Sequence, residues 1–408
     1  MSKKSSQVRC LRFLNNLSSN SIKGYKQSIK KYEQFHGTTI EALVDEALDE
    51  QSKQVPHHQL SIIDRLEDFQ NYLIESNLTV GTIKLHMTLI QTIYRKNRVE
   101  IPYIEPVNVK QCRKREYIEY KDILTKDEIR CALTHMKPPA KARAMAILQG
   151  GLSNEECEHF TTRSFIDETR KYHQCDDDMD ALKWLADENH PIIWITKMTR
   201  IKTGKPYYAI LGAEAINVIA SAKIYESQLP SNNGKIPEKL LAMNKGSFTR
   251  TCRTVNNKCG LGLVAEESKF RSHMLRKFYA TYIRGSVLTY EEHSRISNSQ
   301  IDEMQGRGKT SVQDTYIKSN PLEQKLIYAK VMNNVSLYNE YTYEIIDDDV
   351  IVHRVDQLSE NKKLVKKVEK LEHQLQQKQK ASEKVKKLRE ELGNDVFDEM
   401  IGEILNAS

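Results

Sequence analysis

Residues 194–211 read Trp194-Ile195-Thr196-Lys197-Met198-Thr199-Arg200-Ile201-Lys202-Thr203-Gly204-Lys205-Pro206-Tyr207-Tyr208-Ala209-Ile210-Leu211. With Pro191, Ile192 and Ile193 ahead of them, residues 191–196 make a short, apolar, β-branched run, the composition of a strand. Thr203-Gly204 supplies a turn, and residues 206–211 return as a second strand. The segments on both sides carry helical spacing instead. With only 16 glycines and 10 prolines in 408 residues, a turn-rich all-β chain is excluded. The expected fold is mainly α with a small antiparallel β-sheet.

Toward the N-terminus, Ile22, Tyr25, Ile29, Tyr32 and Phe35 recur at spacings of three and four behind Ser18-Ser19-Asn20, a cluster able to cap a helix. Ile62, Leu66, Phe69 and Leu73 repeat the pattern, as do Ile83, Met87, Ile90 and Tyr94. Pro102 and Pro106 then stop helix propagation, because proline lacks the amide donor and crowds the preceding turn. The basic run Lys110-Gln111-Cys112-Arg113-Lys114-Arg115 follows. Charge runs are usually solvated connectors. A linker passing beside DNA would use this charge to neutralise phosphates, and it is the ordered set of groups described below that turns Lys110, Arg113, Lys114 and Arg115 into expected DNA contacts.

A second unit opens at Leu124, where Thr125 and Glu128 have the spacing of a capping box. A helix through residues 142–148 stops at Gly150-Gly151. Asp347-Asp348-Asp349 marks a junction. Beyond it, residues 355–392 are almost all Lys, Glu, Gln and Leu, with Leu364, Val368, Leu371 and Leu375 at a/d spacing and Asn361 at a preceding a position, the pattern of a short coiled coil or a lone solvated helix. The organisation expected is a helical domain over 1–109, a basic linker over 110–118, a catalytic domain over 119–345 and a charged helical tail over 346–408.

The net charge of +7 suits a polyanionic partner without demanding one. The seven cysteines are scattered, none in a CxxC pair, as reduced cytosolic thiols would be. His173 and Cys175 beside Asp176, Asp177 and Asp178 lack a second ligand pair, so the segment reads as an acidic surface loop and no metal is assigned. No apolar run is long enough to span a bilayer, and the Met-Ser-Lys-Lys start is not a secretory leader. A cytoplasmic, nucleoid-associated protein is expected.

Cutting DNA by transesterification requires a hydroxyl to attack phosphorus, cations to hold the non-bridging oxygens and a proton donor for the leaving oxygen. Groups of these kinds follow one another in the C-terminal half. Lys202 lies in the hairpin, His273-Met274-Leu275-Arg276 lies in a helical stretch over 270–282, and Gln305-Gly306-Arg307 precedes Tyr316. Singly, each is unremarkable: HxxR arises by chance in many helices, and most of 19 tyrosines are packing residues.

As an ordered set they resemble the tyrosine recombinase (phage integrase) family, in the form found in archaea and archaeal viruses. The resemblance covers residues 15–345, the N-terminal helices resembling the family's core-binding domain. It implies that Tyr316 is the nucleophile, forming a 3′-phosphotyrosyl intermediate, and that Lys202 is the general acid toward the 5′ oxygen. It implies that His273 and Arg276 handle proton transfer and phosphate binding. It implies double-stranded DNA as partner, gripped from two sides, self-assembly to a tetramer in the synapse, and no cofactor.

Two positions depart from the family pattern. Arg307 stands where a histidine or tryptophan is usual; its guanidinium can still bind phosphate. Ser153, in Gly151-Leu152-Ser153-Asn154-Glu155-Glu156, stands where the family's first arginine is expected, and a serine supplies no charge. Arg143, Arg163 and Arg200 are candidate substitutes, Arg200 foremost because it lies on the hairpin beside Lys202. Three functions compete: a recombinase integrating or excising a mobile element, a catalytically impaired relative that binds DNA, and a type IB topoisomerase-like nicking enzyme.

Overall fold

The computed structural model describes residues 9–114, 116–284, 287–289, 294–306, 320–355 and 393. The chain divides into two units, Met1–Tyr117 and Ile118–Ser408. It is mainly helical, with small antiparallel sheets.

The first unit is built on α1 (Ser19–His36), α2 (Ile40–Ser52), α3 (Ser61–Glu75) and α4 (Val80–Lys96). Ser18 caps α1 by accepting from the Ser21 amide, and Gly37 ends it in the left-handed region at φ 68°. The stripes read from the sequence face one core: Tyr25, Ile29 and Tyr32 of α1, Ile62, Leu66, Phe69 and Leu73 of α3, and Ile83, Met87, Ile90 and Tyr94 of α4 are buried. The Tyr32 and Tyr94 hydroxyls satisfy each other at 3.1 Å. Phe35 departs from the stripe: it is exposed and stacks on Tyr72 at 4.7 Å. Beyond these stripes, Ile40, Leu43, Val44 and Ala47 of α2 join the same core. Of the basic run, Lys110 lies in a 3-10 turn, Cys112 is buried in this core, and the Arg113 amide donates to the Leu78 carbonyl at 3.3 Å. Arg115 lies outside the described residues.

In the second unit the capping box forms as the spacing requires. Thr125 Oγ1 accepts from the Glu128 amide at 3.2 Å and Glu128 Oε2 accepts from the Thr125 amide at 2.9 Å, starting α5 (Lys126–Thr134). Next, α6 (Pro138–Gly150) is buried on nearly every face and forms the centre of the unit. After α7 (Thr162–His173) and α8 (Asp178–Ala186) comes the hairpin of β1 (Trp194–Thr199) and β2 (Pro206–Leu211), paired in register from Trp194 with Leu211 to Thr199 with Pro206. The first strand therefore starts three residues later than its apolar run and ends on polar residues. Pairing needs a partner backbone: Lys197, Met198 and Thr199 lie opposite Tyr208, Tyr207 and Pro206, and 191–193 lie opposite nothing in this sheet.

The remaining helices are α9 (Ala213–Ser227), α10 (Lys245–Lys258), α11 (Ser272–Ile283), α12 (Asn298–Met304) and α13 (Pro321–Val331). The stretch after residue 211 is less uniformly helical than expected, because two short hairpins interrupt it: β3 (Leu263–Val264) with β4 (Glu267–Ser268), and β5 (Val287–Thr289) with β6 (Ser294–Arg295). Around α6, the helices α9 and α11 and strand β2 pack in one continuous core. Asp347 and Asp348, read as a junction, form the turn between β7 (Tyr341–Ile346) and β8 (Asp349–Arg354), at φ 47° and 57°. Two positive-φ residues in succession are the backbone of a two-residue hairpin turn. The heptad stretch from Asn361 to Leu375 lies outside the described residues. Among the described residues no helix is long and apolar enough to cross a membrane.

Candidate functional site

Gly151 ends α6 at φ 59°, where a Cβ would fall 2.5 Å from the Tyr279 ring and 2.8 Å from Gln305 Nε2. Only glycine fits there. The chain reverses through it and delivers Leu152 to the core and Ser153 to a position three residues ahead of a short 3-10 turn, Glu156–Glu158. Ser153 Oγ accepts from the Glu156 amide at 3.2 Å, and Glu156 Oε2 accepts from the Ser153 amide at 2.7 Å. This reciprocal pair is the hydrogen-bonding logic of a capping box. Ser153 thus fixes Glu156, whose side chain is only 2% exposed.

A buried carboxylate demands partners, and two arginines supply them. Arg200, leaving β1 at its C-terminal end, places Nη1 2.5 Å from Glu156 Oε1. Arg276, on α11, places Nη1 3.4 Å from Glu156 Oε2. Both guanidinium groups also donate to the Gln305 carbonyl, Arg200 at 3.3 Å and Arg276 at 3.2 Å. Their side chains are 15% and 6% exposed. Four separate segments therefore meet: the turn after α6, the hairpin, α11, and the end of α12. Among the described residues two guanidinium groups thus share one carboxylate, and paired guanidinium forks are a geometry suited to phosphate-like oxyanions.

Gln305 itself is 1% exposed, and neither atom of its side-chain amide has a hydrogen-bond partner among the described residues. Gly306 follows at φ 61°, with the Tyr207 ring lying 2.7 Å from where a Cβ would be. Tyr207 is a packing residue: burial first, and the nearby Glu156 second, push its phenol well above the usual range. Burial does the same to Tyr279. Neither is suited to ionise as a nucleophile.

Of the three candidate substitute arginines, Arg143 is fully buried and committed elsewhere. It donates to the Asn154 side chain at 2.7 Å and to the carbonyls of Asn154 and Met243. Arg163 is a surface residue paired with Asp167 at 2.7 Å. Arg200 is the one that joins Arg276. Lys202 is exposed in the turn of the hairpin, and His273 is exposed in the first turn of α11. The remaining two residues of the expected set, Arg307 and Tyr316, lie outside the described residues. Lys110, Arg113 and Lys114 belong to the first unit. Glu156, Gln305 and Tyr207 were not singled out from sequence; the one local signal was the Ser153-x-x-Glu156 spacing.

His173 Nδ1 accepts from the Cys175 amide at 3.0 Å, and its Nε2 lies 3.2 Å from the Ile166 carbonyl.

No family model matches this chain, and no curated protein matches it. A solved structure that is similar, titled "Crystal structure of XerA recombinase", shares 15% sequence identity at a TM-score of 0.31, covering 76% of this chain and 92% of that one. Similarity at that level assigns neither family nor activity.

Proposed function

We propose that this chain is a tyrosine-recombinase-type DNA strand transferase, acting on double-stranded DNA with Tyr316 as nucleophile. The observation that carries the proposal is the meeting of Arg200 and Arg276 on Glu156, beside the Gln305 carbonyl that immediately precedes Gly306-Arg307. Segments that the motif order links in sequence also converge in space, and Arg200 stands in for the cation that Ser153 cannot supply.

In this reading Arg200, Arg276 and Arg307 hold the non-bridging oxygens of the scissile phosphate. The Tyr316 oxygen bonds to phosphorus as the P–O5′ bond breaks, and His273 takes part in moving the phenolic proton. The departing electron pair stays on the 5′ oxygen, which Lys202 protonates. Attack by a 5′ hydroxyl on the phosphotyrosine reverses the step. Lys110, Arg113, Lys114 and Arg115 contribute phosphate contacts, so binding weakens steeply with salt. The charged tail joins protomers, four in the synapse, in a cytoplasmic, nucleoid-associated protein that moves a mobile element.

Covalent trapping on a nicked duplex tests this, comparing the wild-type chain with Tyr316→Phe. A protein–DNA adduct that disappears in the variant is expected. Salt-sensitive binding with no adduct on any cleavable sequence would replace the proposal with a DNA-binding relative, a reading that Ser153 favours.

A further inference from the structure

Outside this cluster, two cysteines far apart in sequence meet. Cys131, exposed on α5, and Cys259, half-buried at the C-terminal end of α10, bring their sulfurs to 2.8 Å. His135, which ends α5, places Nδ1 3.6 Å from Cys259 Sγ. The ligand atoms of all three residues lie within 4.8 Å of one another.

We propose that Cys131, Cys259 and His135 form a binding site for a thiophilic divalent cation such as Zn²⁺, unrelated to the DNA chemistry and independent of it. Tetrahedral zinc with Zn–S near 2.3 Å and Zn–N near 2.0–2.1 Å sets its sulfur and nitrogen ligands about 3.6 Å apart and its two sulfurs about 3.8 Å apart. The Cys259–His135 separation already has that value. The two sulfurs need to part by about 1 Å, which a small χ1 adjustment of the exposed Cys131 provides. Two thiols are too close at this distance for comfortable non-bonded contact, and a shared cation relieves it.

His135 is free to serve through Nδ1. That nitrogen lies 3.0 Å from the Cys131 carbonyl, but the Thr134 hydroxyl already donates to the same carbonyl at 2.7 Å. The carbonyl therefore stays satisfied in the tautomer that leaves Nδ1 open as a ligand. The surroundings favour a cation as well: His135 and Cys259 cap the C-terminal ends of two helices, where backbone carbonyls concentrate partial negative charge. Burial and the neighbouring Cys131 push the Cys259 thiol up to about 11. Binding converts both thiols to thiolates and releases two protons, leaving the Zn(SR)₂(His) unit neutral and a fourth position for water. A disulfide would use the two sulfurs and leave the placement of His135 without purpose.

The test is titration of the reduced full-length chain with Co²⁺, followed by displacement with Zn²⁺. One equivalent should produce a thiolate-to-cobalt charge-transfer band in the near ultraviolet and the visible band of a tetrahedral ion. Zn²⁺ should abolish both and raise the melting temperature. Cys131→Ser and Cys259→Ser should each lose the charge-transfer band, and His135→Ala should weaken it and shift the visible band. Cys131 is exposed, so Cys131→Ser separates loss of the site from loss of the fold, provided that it melts as the metal-free wild type does. Absence of the band, or a band that survives in the Cys131→Ser/Cys259→Ser double variant, would overturn the proposal. So would a Cys131–Cys259 disulfide that persists in the reduced preparation and excludes the ion.

Discussion

Arg200 and Glu156, separated by 44 positions in sequence, form an ion pair of 2.5 Å whose side chains are 15% and 2% exposed. The pair ties the hairpin to the turn after α6, and through the second oxygen of Glu156 it is tied to Arg276 as well. A carboxylate between two guanidinium groups keeps both cations in place. Catalysis by charge gains most when the charges are preorganised in this way, because nothing needs to move as the transition state forms.

If Arg200 carries the phosphate in place of the missing arginine, its removal must cost chemistry rather than folding alone. Arg200→Ala should lower single-turnover adduct formation on a nicked duplex by roughly 100-fold or more, the usual cost of one such donor. Arg200→Lys should keep part of the rate. The double variant Ser153→Arg/Arg200→Ala should recover activity relative to Arg200→Ala, because it restores a cation at the position where the family pattern has one. Cleavage by Arg200→Ala at the wild-type rate would remove Arg200 from the site.

Glu156 has a structural role and an electrostatic one, and the two can be separated. Removing one partner of a buried ion pair costs about 3–5 kcal/mol, so Glu156→Gln should unfold at distinctly lower urea. The same change leaves two guanidinium groups without their shared carboxylate. Sulfate should therefore stabilise Glu156→Gln more than it stabilises the wild type at equal ionic strength. Equal sulfate responses in the two proteins would show that the arginine pair does not take up an oxyanion.

What the sequence revealed followed the range of the interaction. The Thr125–Glu128 box formed because both partners lie within one turn, and β2 matched its apolar run. The extent of β1 is not legible in its apolar run because Lys197 and Thr199 owe their strand conformation to partners across the hairpin, not to their own polarity. That Ser153 stands where the resemblance expects an arginine is legible in the sequence, whereas the meeting of Arg200 and Arg276 on Glu156 is not, since it closes across 44 and 120 positions. The Cys131–Cys259 contact spans 128 positions with no spacing motif to announce it. Local hydrogen-bond patterns can be read from a sequence; charge pairs and thiol pairs closed by tertiary packing cannot.

Asp349 offers a pH test of the fold apart from either site. It accepts from Lys325 Nζ at 2.5 Å, from the Tyr172 hydroxyl at 2.9 Å and from Lys171. Burial alone would raise its carboxyl, but the hydrogen bonds from Lys171 and Lys325 outweigh that and hold it well below the usual carboxylate range. A carboxyl depressed on folding stabilises the native state above its unfolded value, near 3.9, and loses that contribution as the pH falls toward its folded value. Asp349→Asn leaves Lys325, whose side chain is 3% exposed, without its carboxylate, and should cost about 3 kcal/mol at pH 7. Below about pH 4 the gap between wild type and variant should narrow by about 1.4 kcal/mol per pH unit until the folded group itself titrates. Urea unfolding of both proteins from pH 7 to pH 3 measures this directly, and a gap of constant size would mean that Asp349 is not ionised against these lysines in the native state.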